Sequence, residues 1–553
     1  MTARILTTLC LSLALSGAGA QPKPPAPDTP PDEKAYTAAG KIADPEKKVA
    51  ALEKLKKDFP RSSYVSAATS QILSTLIQKM PERTDQIRKA AKAVFARSVG
   101  RDKRGSTAAR IADQLATAGL LLKDAESYAR RGVNALNEKV WMAEQRAAYA
   151  RGKMRVPSQE LMAKGFAEIR ASRVGTLGRV ELQLGRSAEA VKLLEESYAA
   201  APSDPKVAAA LGELAVKSGD DAKAMGYLIS ARLTGHAPDS ANQAFETLYM
   251  KGHNGSLDGL EAMLDTEYRK RFPNPIHIEA YKPTEKRSDR MVLAEVFTGS
   301  GCPPCAGADV AFDAALERYA RKDLAVVMFH VHIPRPDPMT IAETTARYES
   351  YGKNGVPAYA IDGKKISGGD LRVMAQWVFD GFQKDLEADL ETPAEAQVKI
   401  DANLNGGTVR VSAAVDHVKS DSKDLKVQIL LLEKEIRHLG ENGIRFHPMV
   451  VRAFGGEKAG EGYKVEANGK GTFEASFDLE AIGKDIRKQL DEYEAKGHRG
   501  EPFKFSAKKD QIDRADLAVV AFVQDDKTRH VLQAAYVDLG APAGTRPAAE
   551  AKQ

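Results

Sequence analysis

The stretch that decides the reading is VLAEVFTGSGCPPCAGADVAFDAAL, residues 292–316. A bounded run of β-branched and aromatic residues, VLAEVF, predicts a strand. A Thr-Gly-Ser-Gly loop follows, then two cysteines separated by two prolines, and an alanine-rich pattern that predicts a helix over 306–320. Cys302 and Cys305 are the last two of the three cysteines in the chain. Such a C-x-x-C pair can be a redox couple, half of a metal site, or a clip that ties down a turn.

The third cysteine, Cys10, belongs to a different feature. Residues 1–20 combine Arg4, an apolar core from Ile5 to Leu15 and an A-x-A site at Ala18-Gly19-Ala20. That pattern predicts a cleaved secretory signal peptide, too short for a membrane span. Leu9 before Cys10 argues against lipid attachment, so the mature chain is expected in the periplasm or outside the cell with two cysteines. A secreted protein of 553 residues with two cysteines is not stapled by disulfides, so the pair points to chemistry. The 81 basic and 75 acidic residues are interspersed, for a net charge of +6, which gives no reason to expect nucleic acid or an anionic membrane as partner. No later segment is long and apolar enough to predict a membrane span.

Outward from the cysteines the chain divides by pattern. Residues 21–33 form a proline-rich spacer. Residues 34–250 read as helical, and Leu177-Gly178, Gly185, Ala188, Ala190 and Leu194 recur 34 positions later as Leu211-Gly212, Gly219, Ala222, Ala224 and Leu228. Residues 251–288 read as a connector. From 289 to 390 strands and helices alternate: a strand into the cysteines, a helix, the strand DLAVVMFHVHI, a helix IAETTARYESYG, a hairpin VPAYAIDGKKI turning at Asp362-Gly363, and a closing helix. Residues 392–541 are strand-rich, FKFS included, and suggest a β-sandwich of immunoglobulin-like type broken by one charged helix. Residues 542–553 read as a disordered tail.

The 34-residue period resembles the tetratricopeptide repeat, a helical array that binds other proteins. The segment 289–390, with C-x-x-C and then Gly355-Val356-Pro357 at the start of a hairpin, resembles the thioredoxin fold. That resemblance implies a cis Pro357 facing the cysteines, Cys302 as the attacking thiolate at a helix N-terminus and Cys305 as the resolving thiol. It also offers Glu295, on the strand before the cysteines, as acceptor of the resolving thiol's proton. Glu295 stands seven residues before Cys302, one further than the family pattern, and Gly301 replaces the usual tryptophan. The two prolines remove amide donors near the sulfur, so a strongly oxidising potential is not expected.

A closer resemblance is to secreted thioredoxin-like proteins of the Omp28 type. It rests on EVFTG (Glu295 to Gly299), RYESYG (Arg347 to Gly352) and HPMVVRA (His447 to Ala453). The expectation is therefore a multidomain chain: an all-α repeat region, an α/β thioredoxin-like domain and an all-β sandwich. Its function would be thiol–disulfide exchange on protein substrates, with a redox partner protein, no cofactor beyond the disulfide and no metal. Covalent haem would need histidine after Cys305, where Ala306 stands. A mixed site with His330 and His332 stays open, as does a structural clip. The competing reading is an envelope scaffold that binds through its repeats and turns over little.

Overall fold

The computed structural model describes residues 29–152, 155–352, 355–369, 372–456, 460–466, 469–498 and 502–539. The expected signal peptide, residues 21–28 of the spacer and the tail lie outside the described residues.

Helix follows helix from Pro31 to Arg271. Asp44 and Asp204 each accept backbone N–H groups at a helix start, followed by a proline at the first helical position. The 34-residue period has a packing cause. A Cβ on Gly178 would stand 3.0 Å from Leu194 Cγ, and one on Gly212 would stand 2.6 Å from Leu228 Cδ2. The same small-against-leucine contact is thus made twice, 34 positions apart, between paired helices. The expected connector contains a further helix, Leu260–Arg271, which buries Leu260, Leu264 and Tyr268. Their four-residue spacing is a helical stripe, obscured in sequence by the glycines, prolines and charges around it.

The rest of the chain forms a mixed sheet and a smaller antiparallel one. The strands are β1 (Val292–Thr298), β2 (Leu324–His330), β3 (Ala358–Ile361), β4 (Lys364–Ser367), β5 (Gln397–Asn405), β6 (Thr408–Asp416), β7 (Leu425–Arg437), β8 (Phe446–Phe454), β9 (Tyr463–Lys464), β10 (Gly471–Asp478), β11 (Leu517–Asp525) and β12 (Val531–Asp538). The large sheet has the order β12-β11-β7-β8-β2-β1-β3-β4, with β9 beside β7. The small sheet, β10-β6-β5, covers β7 and β11 through an apolar layer that includes Val411, Ile429 and Val519.

The join between β2 and β8 changes the expected domain picture. These strands pair in parallel at Met328 and Val450, so the segments on either side of residue 391 share one sheet. They also share one core, which runs from Phe312 and Phe382 through Phe297 and Phe329 to Phe454 and Phe522. The shared core thus runs across the boundary near 391, while a second cluster, with Val411, Ile429 and Val519, belongs to the later segment alone. FKFS, expected as a strand, is not one; Phe505 donates its N–H to Glu494 on the helix Leu479–Lys496 instead.

Among the described residues, no helix is long and apolar enough to cross a membrane.

Candidate functional site

Strand β1 delivers the chain to the cysteines through Gly299-Ser300-Gly301. This loop is tight for steric reasons. A Cβ on Gly299 would lie 2.6 Å from Ile333 O, and one on Gly301 would lie 2.8 Å from Arg335 Cβ. A tryptophan before Cys302 has no room against the 331–337 loop, which accounts for the glycine there.

Cys302 and Cys305 are joined by a disulfide, with Cα atoms 5.3 Å apart. The helix that follows is Cys305–Arg318, so Cys305 opens its first turn and Cys302 stands just ahead of it. Its first amides are occupied by backbone: Cys305 N–H donates to Cys302 O at 3.0 Å and Ala306 N–H to Pro303 O at 3.2 Å. The Val356–Pro357 bond is cis, as is Ile333–Pro334. The Cys302 sulfur lies 3.8 Å from Val356 O, so the expected proline segment does stand beside the pair. A residue the motifs did not flag, Gly369, closes the other side. A Cβ there would fall 1.8 Å from Pro357 Cγ and 2.9 Å from Pro304 O. In this closed arrangement Cys302 is 1% exposed and Cys305 is fully buried.

Glu295 is bound to other side chains. Side chains alternate along β1, and Glu295 shares a face with Phe297, whose ring meets Tyr348 and Tyr351. Arg347 Nη2 stands 2.6 Å from the Glu295 carboxylate, and the Tyr351 hydroxyl donates to it. The acid is therefore committed to the helix Ala342–Ser350 and its C-terminal end. Thr298, of the opposite parity, turns towards the cysteine helix. The EVFTG and RYESYG motifs meet in one buried ion pair.

The acid on the sulfur side is Asp309, one helical turn after Cys305 and 3% exposed. Thr298 Oγ1 donates to its Oδ1 at 2.7 Å and Asn442 Nδ2 to its Oδ2 at 3.3 Å. Burial pushes this carboxyl up to about 7, against the pull of Thr298, His330 and Asn442. Sequence reading missed it because Asp309 and Asp313 look like two surface acids of one helix. The available signal was the neighbourhood: Cys305, Ala306 and Phe312, at helical spacing from Asp309, are all small or apolar.

A second buried acid supports the loop before the cysteines. Asp337 accepts Ser300 N–H at 2.5 Å and Met339 N–H at 2.8 Å, and pairs with His330 Nδ1 at 2.9 Å. Burial alone would raise the Asp337 carboxyl, but His330 beside it and these hydrogen bonds hold it well below the usual carboxylate range. His330 and His332 thus both serve Asp337, since His332 Nδ1 accepts the Asp337 N–H at 3.0 Å. His447 stacks edge-on against His330 at 5.2 Å, with His438 beyond it at 5.9 Å. Burial pushes His332 and His438 down to about 4 and His447 well below the ordinary value, so these rings are neutral at pH 7. Among the described residues, no three His, Cys, Asp or Glu side chains converge in a way that could hold a metal ion.

No family model matches the chain, and no curated protein does.

Proposed function

We propose that the chain is an extracytoplasmic, thioredoxin-like thiol–disulfide oxidoreductase acting on protein cysteines through Cys302 and Cys305. The observation that carries this reading is the closeness of the Cys302 sulfur, at a helix start, to the Val356 carbonyl and Pro357. Cys302 attacks, Cys305 resolves, and an extended client segment runs along Val356-Pro357. The thiolate of Cys302 gains from the positive end of the helix dipole, but the neighbouring amides already serve carbonyls and the prolines bring none. The site therefore suits a moderate potential, not that of a strong oxidant. Helical repeats of tetratricopeptide type would receive the client, and a redox partner protein would regenerate the pair. No cofactor beyond the disulfide and no metal is required.

One observation favours a second reading, a scaffold with little turnover: Cys302 is 1% exposed. A protein client reaches the sulfur only if the packing of Gly369 against Pro304 and Pro357 yields. Thiol trapping in cells separates the two. Cys305→Ser accumulates mixed disulfides between Cys302 and clients, whereas Cys302→Ser accumulates none. Absence of captured protein in both variants would establish the scaffold.

A further inference from the structure

We propose that Asp309, held by Asn442 of the β7–β8 loop, takes the proton of Cys305 during disulfide exchange, and that the helical region positions this acid by clamping that loop. The proposal rests on the redox reading of Cys302 and Cys305.

Residues four apart on a helix share a face, with Cβ atoms about 5–6 Å apart. Cys305 and Asp309 are such a pair, and both are buried. That spacing allows transfer directly or through one water. The carboxyl, with its proton affinity raised by burial, exchanges its proton near neutral pH, where an acid–base group is most effective. His330 and Asp337 act on it from the β2 side, in opposite senses. Asp313, Arg372 and Glu435 share with it the cleft between the cysteine helix and the helix Leu260–Arg271, which gives the proton a way out.

The step balances as follows. The Cys302 thiolate opens a client disulfide, forming a mixed disulfide and releasing one client thiolate. Cys305 passes its S–H proton to Asp309, and its sulfur attacks Cys302 Sγ. The bond between Cys302 and the client breaks, and the second client sulfur leaves as thiolate. The client gains two electrons, the cysteine pair loses two, and the proton on Asp309 passes to solvent. Oxidation of a client runs the same step in reverse.

Asn442 is the positioning residue. Its side chain donates to Asp309, its backbone N–H donates to Ser300 O at 2.9 Å, and its Oδ1 accepts Ile444 N–H at 3.0 Å. The loop is gripped from the helical side: the Tyr268 hydroxyl donates to Gly443 O at 3.0 Å, and Arg445 binds Asp265 and Glu261, each at 2.7 Å. Gly235 packs so closely that a Cβ would stand 2.3 Å from Gly440 O.

The test measures the midpoint potential of the Cys302–Cys305 couple in the full chain against dithiothreitol from pH 5 to 9, alongside single-turnover resolution of a mixed disulfide with a small thiol. The wild type shows a break in the potential–pH line near neutral pH. Asp309→Asn removes this group's part of the break, leaving that of the Cys302 thiol, and slows resolution roughly a hundredfold, while Glu295→Gln changes neither. Asn442→Ala, which takes away a donor to the carboxylate, moves the break upward in pH. Gly235→Leu, remote from the sulfurs, moves it too. An unaltered break in Asp309→Asn would overturn the assignment, and an unaltered one in Gly235→Leu would overturn the clamp. Because the couple is read against a chemical reductant, a chain that turns over no client yet shows the break defeats only the redox reading.

Discussion

Arg347 places its guanidinium 2.6 Å from the Glu295 carboxylate across the large sheet's face, with both side chains almost wholly out of water. The pair ties the helix Ala342–Ser350 to the middle of β1, and the Gln524 side chain accepts a further bond from Arg347 at 2.6 Å. Removing one member of such a pair strands the other charge. Arg347→Met is expected to cost about 3–5 kcal/mol, measured by urea unfolding. If the loss were below about 1 kcal/mol, the pair would not be anchoring the strand.

Acid should weaken the fold through its histidines. The unfolded chain protonates His332, His438 and His447 near the ordinary value of about 6.5, whereas the folded chain holds them neutral down to about 4 or lower. Between those limits the unfolded state binds more protons, so stability falls as pH falls. Asp309 works with the opposite sign: its folded carboxyl stays protonated to about 7, the unfolded one only to about 3.9, so its contribution falls as pH rises. His438→Gln is therefore expected to flatten the loss between pH 7 and 5, and Asp309→Asn to steepen it. Urea midpoints at the two pH values check both.

Gly301 is held small by Arg335. Gly301→Ala forces a contact 2.8 Å from Arg335 Cβ, at an expected cost of about 1–3 kcal/mol. Arg335→Gly in the same chain should recover most of it. Failure of that rescue in a thermal melt would mean the crowding comes from elsewhere.

The cysteine-bearing segment should not fold by itself. Residues 289–390 alone lack β8, the neighbour of β2, together with Phe454 and Phe522 from the shared core. They are expected to show no cooperative unfolding and no near-ultraviolet circular dichroism. A sharp melt would show that the core divides at 391 after all.

Local features of the chain were legible because local periodicity carries them. β1, the cysteine helix and the hairpin at Asp362-Gly363 all stand close to where their residues predict them. Glu295 was visible as an acid in an apolar run, but its partner Arg347 lies 52 residues away and on a different element. Asp309 carried only the faint mark of its apolar helix neighbours, and its partner Asn442 lies 133 residues further along. The β2–β8 junction has no local signature at all, since both strands read equally well as members of separate sheets.

That junction also bears on the order in which the protein can be completed. Between the last residue of β2 and the first of β8 the chain has 446 − 330 = 116 positions to travel. Until β8 arrives, β2 presents an unpaired edge of apolar residues, the kind of edge that recruits other strands. A nascent chain interrupted in this interval would already carry both cysteines beside an open, adhesive sheet margin. Delivery of the carboxy-terminal strands is thus what seals the cysteine-bearing segment against association with its neighbours.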